Sequence, residues 1–259
     1  MRCVRTVLRQ VCVTTHTGSY KCVCGSSPLR RDAHGGVDGG ERHREKEAFT
    51  GEHVDEEPSW MCGSSAVVLS AVCGHVRVLQ NFISEEEEEA FLKELEPGLR
   101  RKRYEFDHWD DAIQGFRETE RLQWGGVCTS VLERLRALAF PRGSPLLGPV
   151  HVLDLDKTGF IAPHVDSVKF CGSTIAGLSL LSDSVMRLVH EENTADQVHL
   201  LLQRRSLYIL RDEARFKFTH EILKDEDSFF SGRRIPRQRR ISVICRNLPH
   251  GAESFLTCR

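Results

Sequence analysis

The segment IAPHVDSVKF carries His164 and Asp166 two residues apart. In extended chain that spacing points both side chains to the same side, so one strand end can present an imidazole and a carboxylate together. A second imidazole would complete one face of an octahedral iron(II) ion and leave the opposite positions open for a bidentate co-substrate and dioxygen. The pattern His-x-Asp is common by chance, and a turn histidine beside a solvated aspartate fits it equally well. A partner imidazole is available from His220 in FKFTHEI, where Phe216, Phe218, His220 and Ile222 share one face by period two. Such a face is normally core, and a hydrogen-bonded buried histidine is its ordinary reading.

A third group of chemistry-bearing residues lies in RRISVICR. Arg240, Ser242 and Arg246 fall on one face and Ile241, Val243 and Cys245 on the other. Periodicity alone makes the arginines a solvent face. If both faces are covered, the planar guanidinium of Arg240 could instead clamp a carboxylate through two parallel hydrogen bonds, which a lysine cannot do.

These residues need elements to position them. After Pro149 the chain becomes a series of short β-rich runs, VHVLDLD, TIAGLSLL, VMRLVH, VHLLLQ, SLYIL, FKFTHEI and RISVICR, parted by Gly, Pro, Asp or charged turns. Many short strands with no fixed repeat imply a sandwich or barrel. Before them the pattern is helical. Ser84 and Glu87 fit a capping box, the run Glu85 to Glu89 suits the positive end of a helix dipole, and Phe91, Leu92 and Leu95 form a stripe that stops at Pro97-Gly98. The acidic run reads as a solvated helix start. A second helix is expected from Val127 to Phe140, with Val127, Val131, Leu132, Leu135 and Leu138 as its apolar stripe.

With 259 residues and 40% hydrophobic content, one well-cored domain plus tails is expected. The net charge of -1 gives no global field for phosphate, so strong duplex DNA binding is not expected. No apolar run is long enough for a membrane span. The 10 cysteines include no CxxC pair, with Cys22 and Cys24 only a weak one, and Cys128, Cys171 and Cys245 read as reduced, half-buried thiols. Residues 1–31 hold Arg2, Arg5, Arg9, Lys21, Arg30 and Arg31 without an acidic residue, a composition shared by mitochondrial leaders and ordinary disordered tails. Gly35 to Pro58 reads as a linker, and His34, His43 and His53 within it as solvated. Order is expected from near Val76, which divides the chain into leader and linker 1–75, a domain 76–248 and a tail 249–259.

The motif HVD, the later His220 and the arginine pair of RISVICR, in that order, resemble the AlkB-like iron(II)/2-oxoglutarate dioxygenases. The strings RYEFDHWDDAIQGFRETE, VHVLDL, HVDSVKFCGSTIAGLSLLS, SLYILR and RRIPRQRRISVICR, spread from Val76 to Leu248, resemble a mitochondrial branch of that family. The resemblance implies a mainly β fold, a double-stranded β-helix (jelly roll, cupin-like) supported by N-terminal helices. It implies Fe(II) held by His164, Asp166 and His220, and 2-oxoglutarate paired to Arg240 in a pocket completed by Tyr208, Ser242 and Arg246. In the wider family the arginine strand reads R-x-N-x-T-x-R, whereas Ser242 and Ile244 stand at the Asn and Thr positions here. The implied reaction consumes 2-oxoglutarate and dioxygen and oxidises a substrate C–H bond. A mitochondrial matrix location and roles in stress, programmed necrosis and fatty-acid metabolism belong to the same implication.

Base-acting relatives stack a nucleobase on an aromatic lid. Tyr104, Phe106, His108, Trp109 and Phe116 occupy that region, but the branch resembled is lidless, and Phe106, Trp109 and Phe116 are expected in the core. Basic residues at Arg100 to Arg103 and Arg233 to Arg240 could contact RNA or an acidic protein surface, or form a solvated face. A protein or peptide hydroxylase, a demethylase of mitochondrial RNA, and a regulatory interaction protein therefore stand as alternatives.

Overall fold

The computed structural model describes residues 59–106 and 112–249. The expected leader, most of the linker, the tail beyond Pro249, and His108 and Trp109 lie outside the described residues. In chain order the elements are β1 (Met61–Gly63), α1 (Ala66–Cys73), β2 (Val76–Leu79), α2 (Glu85–Leu99), β3 (Ile113–Arg121), α3 (Gly126–Ala139), β4 (Val150–His164) and β5 (Thr174–Leu180). They continue with β6 (Ser184–His190), β7 (Gln197–Leu202), β8 (Ser206–Arg211), α4 (Asp212–Phe216), β9 (Phe218–Ile222), β10 (Phe229–Phe230), β11 (Arg233–Arg234) and β12 (Arg240–Arg246).

The main sheet holds 10 strands, in the order β1, β7, β6, β9, β4, β12, β5, β8, β2, with β3 attached to β4 off that path. Its pairs are antiparallel. The sheet curls on itself into a near-barrel of the jelly-roll, double-stranded β-helix type, flanked by helices. β4 is the hinge of this arrangement. Its first half pairs with β12 and β3, and its end crosses to β9, where His164 lies opposite His220.

The period of two sorts each strand between two environments. Leu178 and Leu180 of β5, Leu207 and Ile209 of β8, and Ile241 and Val243 of β12 face outward, into a core shared with Phe91, Leu95 and Leu99 of α2 and Leu132 and Leu135 of α3. The alternate residues face the inside of the curl, where Leu153, Leu155, Leu188, Tyr208 and Ile222 cluster. Both faces of β12 are thus covered, and Arg240 and Ser242 are each only 1% exposed. The covered-face alternative holds and the solvent-face reading does not.

The capping box at Ser84 is present: Glu87 donates its N–H to Ser84 Oγ at 3.2 Å, and Ser84 N–H reaches Glu87 Oε2 at 3.0 Å. Within the acidic run Glu88 departs from the solvated reading. It is fully buried, accepting from Leu181 N–H at 2.8 Å and Arg204 Nε at 2.7 Å, and so ties the helix to the turn after β5. The helix also passes through Pro97 to Leu99, because Leu99 extends the stripe of Phe91 and Leu95 and is wholly buried. On α3 the stripe is rotated from the expected one. Cys128 and Ala139 are buried with Val131, Leu132 and Leu135, while Val127 and Leu138 are 52% and 39% exposed.

Other corrections are local. β1 and α1 precede Val76, with Ser65 Oγ capping the helix at Val68 N–H (3.3 Å), so structured chain begins earlier than that boundary. Phe216 belongs to α4 rather than to the strand that carries His220, and is 39% exposed. Phe116 is core as expected, but Phe106 is 56% exposed. Cys128, Cys171 and Cys245 are free thiols, fully rather than half buried.

Candidate metal centre

His164 closes β4 and Asp166 lies just past the strand end, so the extended geometry expected of HVD brings both to one place. The bend of β4 onto β9 supplies the third side chain. His164 Nε2 lies 3.4 Å and His220 Nε2 3.7 Å from Asp166 Oδ1, and the imidazole centroids are 4.2 Å apart. One ligand atom from each of the three falls within 4.8 Å of the others. Two imidazoles and one carboxylate in that compass make the donor set of a facial triad, which suits iron(II) with open positions.

Their protonation suits a metal as well. His164 Nδ1–H donates to the Ala162 carbonyl at 2.9 Å, which leaves the Nε2 lone pair toward Asp166. Burial, reinforced by the neighbouring His164, pushes the His220 pKa down to about 3, so its ring is neutral near pH 7. Burial alone would raise the Asp166 carboxyl. The Arg246 guanidinium outweighs it and holds that carboxyl well below the usual carboxylate range. Neither residue has a proton to lose before it can bind a cation.

Arg246 donates from Nε to Asp166 Oδ2 at 2.7 Å. The oxygen facing the imidazoles is therefore Oδ1, with Oδ2 held back by the guanidinium. The loop that carries Asp166 is pinned by Arg215, fully buried, whose Nε and Nη2 donate to the carbonyls of Gly172 (3.1 Å) and Cys171 (3.2 Å).

The inward face of the sheet carries a second polar group. Arg240 donates from Nε to Ser179 Oγ at 3.0 Å and from Nη1 to Ser242 Oγ at 2.5 Å, and it also bonds the Tyr208 side chain. Its Nη2 is buried with no hydrogen-bond partner among the described residues. Burial lowers the Arg240 pKa and raises that of Tyr208. A buried guanidinium with no carboxylate in contact among the described residues and one unmet donor could receive an anion, since leaving such a group unpaired is costly. Tyr208 reaches it because Gly177 lies across the strand pair, and a Cβ there would come within 2.4 Å of Tyr208 Oη.

All the residues expected at the site thus converge on one interior, but the arginines divide the work. Arg240 contacts Tyr208 and Ser242, while Arg246 bonds Asp166. Sequence reasoning missed Ser179, Gly177, His151 and Arg215. Ser179 and Gly177 share the inward period of β5, and His151 that of Leu153 and Leu155 on β4, a signal visible only once the inward face is known. A cleft of about 110 Å³ opens beside Asp166 and Arg246, lined also by His151, Glu120, Leu147 and Phe170.

The second basic cluster is largely consumed within the fold. Arg237 and Arg240 are buried, and Arg239 pairs with the fully buried Asp154 (2.8 Å) and with Glu96 (2.5 Å). Only Arg233 and Arg234 of that segment form an exposed pair, the latter engaged with Asp225. Among the described residues no helix is long and apolar enough to cross a membrane.

No protein-family model matches the chain. Among characterised proteins it is 59% identical over 195 residues to the mitochondrial alpha-ketoglutarate-dependent dioxygenase alkB homolog 7 of Bos taurus, a match covering 75% of this chain and 88% of that protein. The corresponding protein of Mus musculus is 58% identical over 193 residues, covering 74% and 87%. Among solved structures, a prolyl hydroxylase of Trichoplax adhaerens in complex with a hypoxia inducible factor peptide fragment aligns with a TM-score of 0.51 at 12% identity, covering 76% of this chain and 93% of that one. That likeness bears on the fold alone. Identity of this order across most of both chains, joined to two histidines and a carboxylate gathered inside a curled sheet, means that the chain belongs to the AlkB-like family of iron(II)- and 2-oxoglutarate-dependent dioxygenases.

Proposed function

We propose that this enzyme binds Fe(II) through His164, Asp166 and His220 and 2-oxoglutarate through Arg240, and that it oxidises a C–H bond in a mitochondrial protein. The observation that carries the reading is the pairing of a cation-ready triad, its donor atoms within 4.8 Å, with a buried arginine whose Nη2 has no partner among the described residues. Bound iron, with 2-oxoglutarate and dioxygen, supplies the oxidising power that couples decarboxylation to succinate with C–H oxidation.

The chain's own residues bind and orient. Arg240, Tyr208 and Ser242 receive the distal carboxylate of 2-oxoglutarate away from water, where charge-assisted hydrogen bonds are strongest. Arg246 keeps Asp166 ionised and turned toward the imidazoles. Substitution of Ser242 and Ile244 for the family's Asn and Thr leaves both arginines in being, and Ser242 is a direct partner of Arg240.

A protein or peptide substrate is favoured over RNA by charge. The chain has a net charge of -1, and Arg237, Arg239 and Arg240 are turned to internal partners, which leaves only Arg233 and Arg234 of one of the two candidate phosphate-binding clusters exposed. The mitochondrial matrix location, and links to programmed necrosis and fatty-acid metabolism, extend the reading from the likeness to the alkB homolog 7 proteins. The test is succinate release by the iron-loaded protein, stimulated by mitochondrial peptides or by methylated RNA fragments, with metal-free protein and an Asp166→Ala variant as controls. Stimulation by RNA alone would reassign the substrate. An Asp166→Ala protein that restored the cellular function in full would make it an interaction protein instead.

A further inference from the structure

His151 lies on β4 with its side chain in the inward row of Leu153 and Leu155, and it is almost fully buried beside the cleft at Asp166. Its two ring nitrogens have different neighbours. Nε2 is 2.9 Å from Glu118 Oε2 on β3, and Nδ1 is 3.3 Å from Arg246 Nη1 on β12. A guanidinium can only donate, so Nδ1 must accept. The proton of the neutral ring is then on Nε2, where it donates to the Glu118 carboxylate. Arg246 passes the same connection on, from Nε to Asp166 Oδ2 at 2.7 Å. Glu118, His151, Arg246 and Asp166 form one chain of hydrogen bonds across three adjacent strands to the metal-facing carboxylate.

We propose that His151 is a positioning residue for the metal centre: its Nδ1 fixes the plane of the Arg246 guanidinium, which in turn holds Asp166 Oδ2 and presents Oδ1 to the cation. Glu118 sets the ring in the one tautomer that can do this. The need is physical. A guanidinium held only at Nε can rotate about its long side chain, and Asp166 then loses the brace that selects one of its oxygens. Groups beyond the direct ligands that orient a ligand in this way are worth about 10–100-fold in metal affinity or activity. The inference rests on the proposed triad and adds a residue that the family's motif does not contain.

Substitutions at one position separate the two nitrogens. Asparagine places a side-chain oxygen near the position of Nδ1, whereas glutamine reaches toward Nε2, and leucine offers neither. The experiment is anaerobic titration of the metal-free full chain with cobalt(II), read by its d–d absorption, together with kcat and the KM for 2-oxoglutarate of the iron-loaded protein and the Tm of each metal-free variant. His151→Leu and His151→Gln are expected to weaken cobalt(II) binding about tenfold and alter the d–d band, while His151→Asn retains most of the affinity. If His151→Leu does not fold, the comparison of asparagine with glutamine decides alone. Equal cobalt(II) affinity and spectra in all variants would overturn the role of His151 while leaving the triad intact, as would rescue by glutamine rather than asparagine. Failure of the wild-type protein to bind cobalt(II) would overturn both this inference and the metal centre beneath it.

Discussion

Arg240 is a cation sealed among hydroxyl groups, with a donor left over. Its bonds to Ser179, Ser242 and Tyr208 use neutral acceptors, and the buried Nη2 has no partner among the described residues. Arg240→Lys keeps the charge but loses the fork, and is expected to weaken 2-oxoglutarate binding by about 1.5–3 kcal/mol, roughly ten- to a hundredfold, measured by calorimetry or as KM. Unchanged affinity would point to another anchor. Gly177→Ala tests the same receptor from the opposite side. Its Cβ would meet Tyr208 Oη at 2.4 Å, so the ring must move, and the KM for 2-oxoglutarate is expected to rise severalfold with little change in metal affinity. His220→Ala is expected to abolish metal-dependent turnover while circular dichroism remains native, because the apolar rows of β9 are intact. The resemblance, more than residue type and spacing, singled out His164, Asp166 and His220, which the fold gathers within 4.8 Å. The separate duties of Arg240 and Arg246 were not legible, since both lie on one face of one strand and only the register with β4 and β5 distinguishes their neighbours.

At the scale of elements, the strand runs after Pro149 and the two helices were legible because each has an apolar period matched to its geometry. β3 was not, since IQGFRETER alternates poorly and carries charges that find partners only after folding. One of them is Arg117, which with Arg239 satisfies the fully buried Asp154 at 2.7 and 2.8 Å, joining β3, β4 and the segment before β12. Asp154→Ala would leave two guanidinium groups without their shared carboxylate, and is expected to cost about 3 kcal/mol, seen as a lowered urea midpoint. A loss below about 0.5 kcal/mol would show that water replaces the carboxylate freely. The same logic explains why Glu88 escaped a composition argument: nothing in a run of five glutamates says which one faces Leu181 and Arg204.

For the molecule as a whole, the curled sheet stabilises itself by closing apolar rows, and any ionisable group caught between them links stability to pH. His199 on β7, half-buried opposite Arg187 on the other face of the strand from Val198 and Leu200, is one ionisable group so placed by the sheet. Burial, with Arg187 opposite, pushes its pKa from 6.5 down to about 4. The unfolded chain binds this proton and the folded one resists it, so stability contributed at neutral pH falls as pH drops from about 6.5 to about 4 and levels off below. His199→Phe is expected to flatten the dependence of Tm on pH in that window relative to the parent, and an unchanged slope would refute the assignment.

The proposed chemistry needs the triad and the Arg240 pocket to act together, and their joint occupancy can be observed without a substrate. Anaerobic addition of iron(II) and 2-oxoglutarate to the metal-free protein should generate the visible charge-transfer absorption of the chelate. It should saturate at one iron per chain, vanish in Asp166→Ala and require more 2-oxoglutarate in Arg240→Lys. Absence of the band in the wild-type protein, or its persistence unchanged in Asp166→Ala, would contradict the assignment.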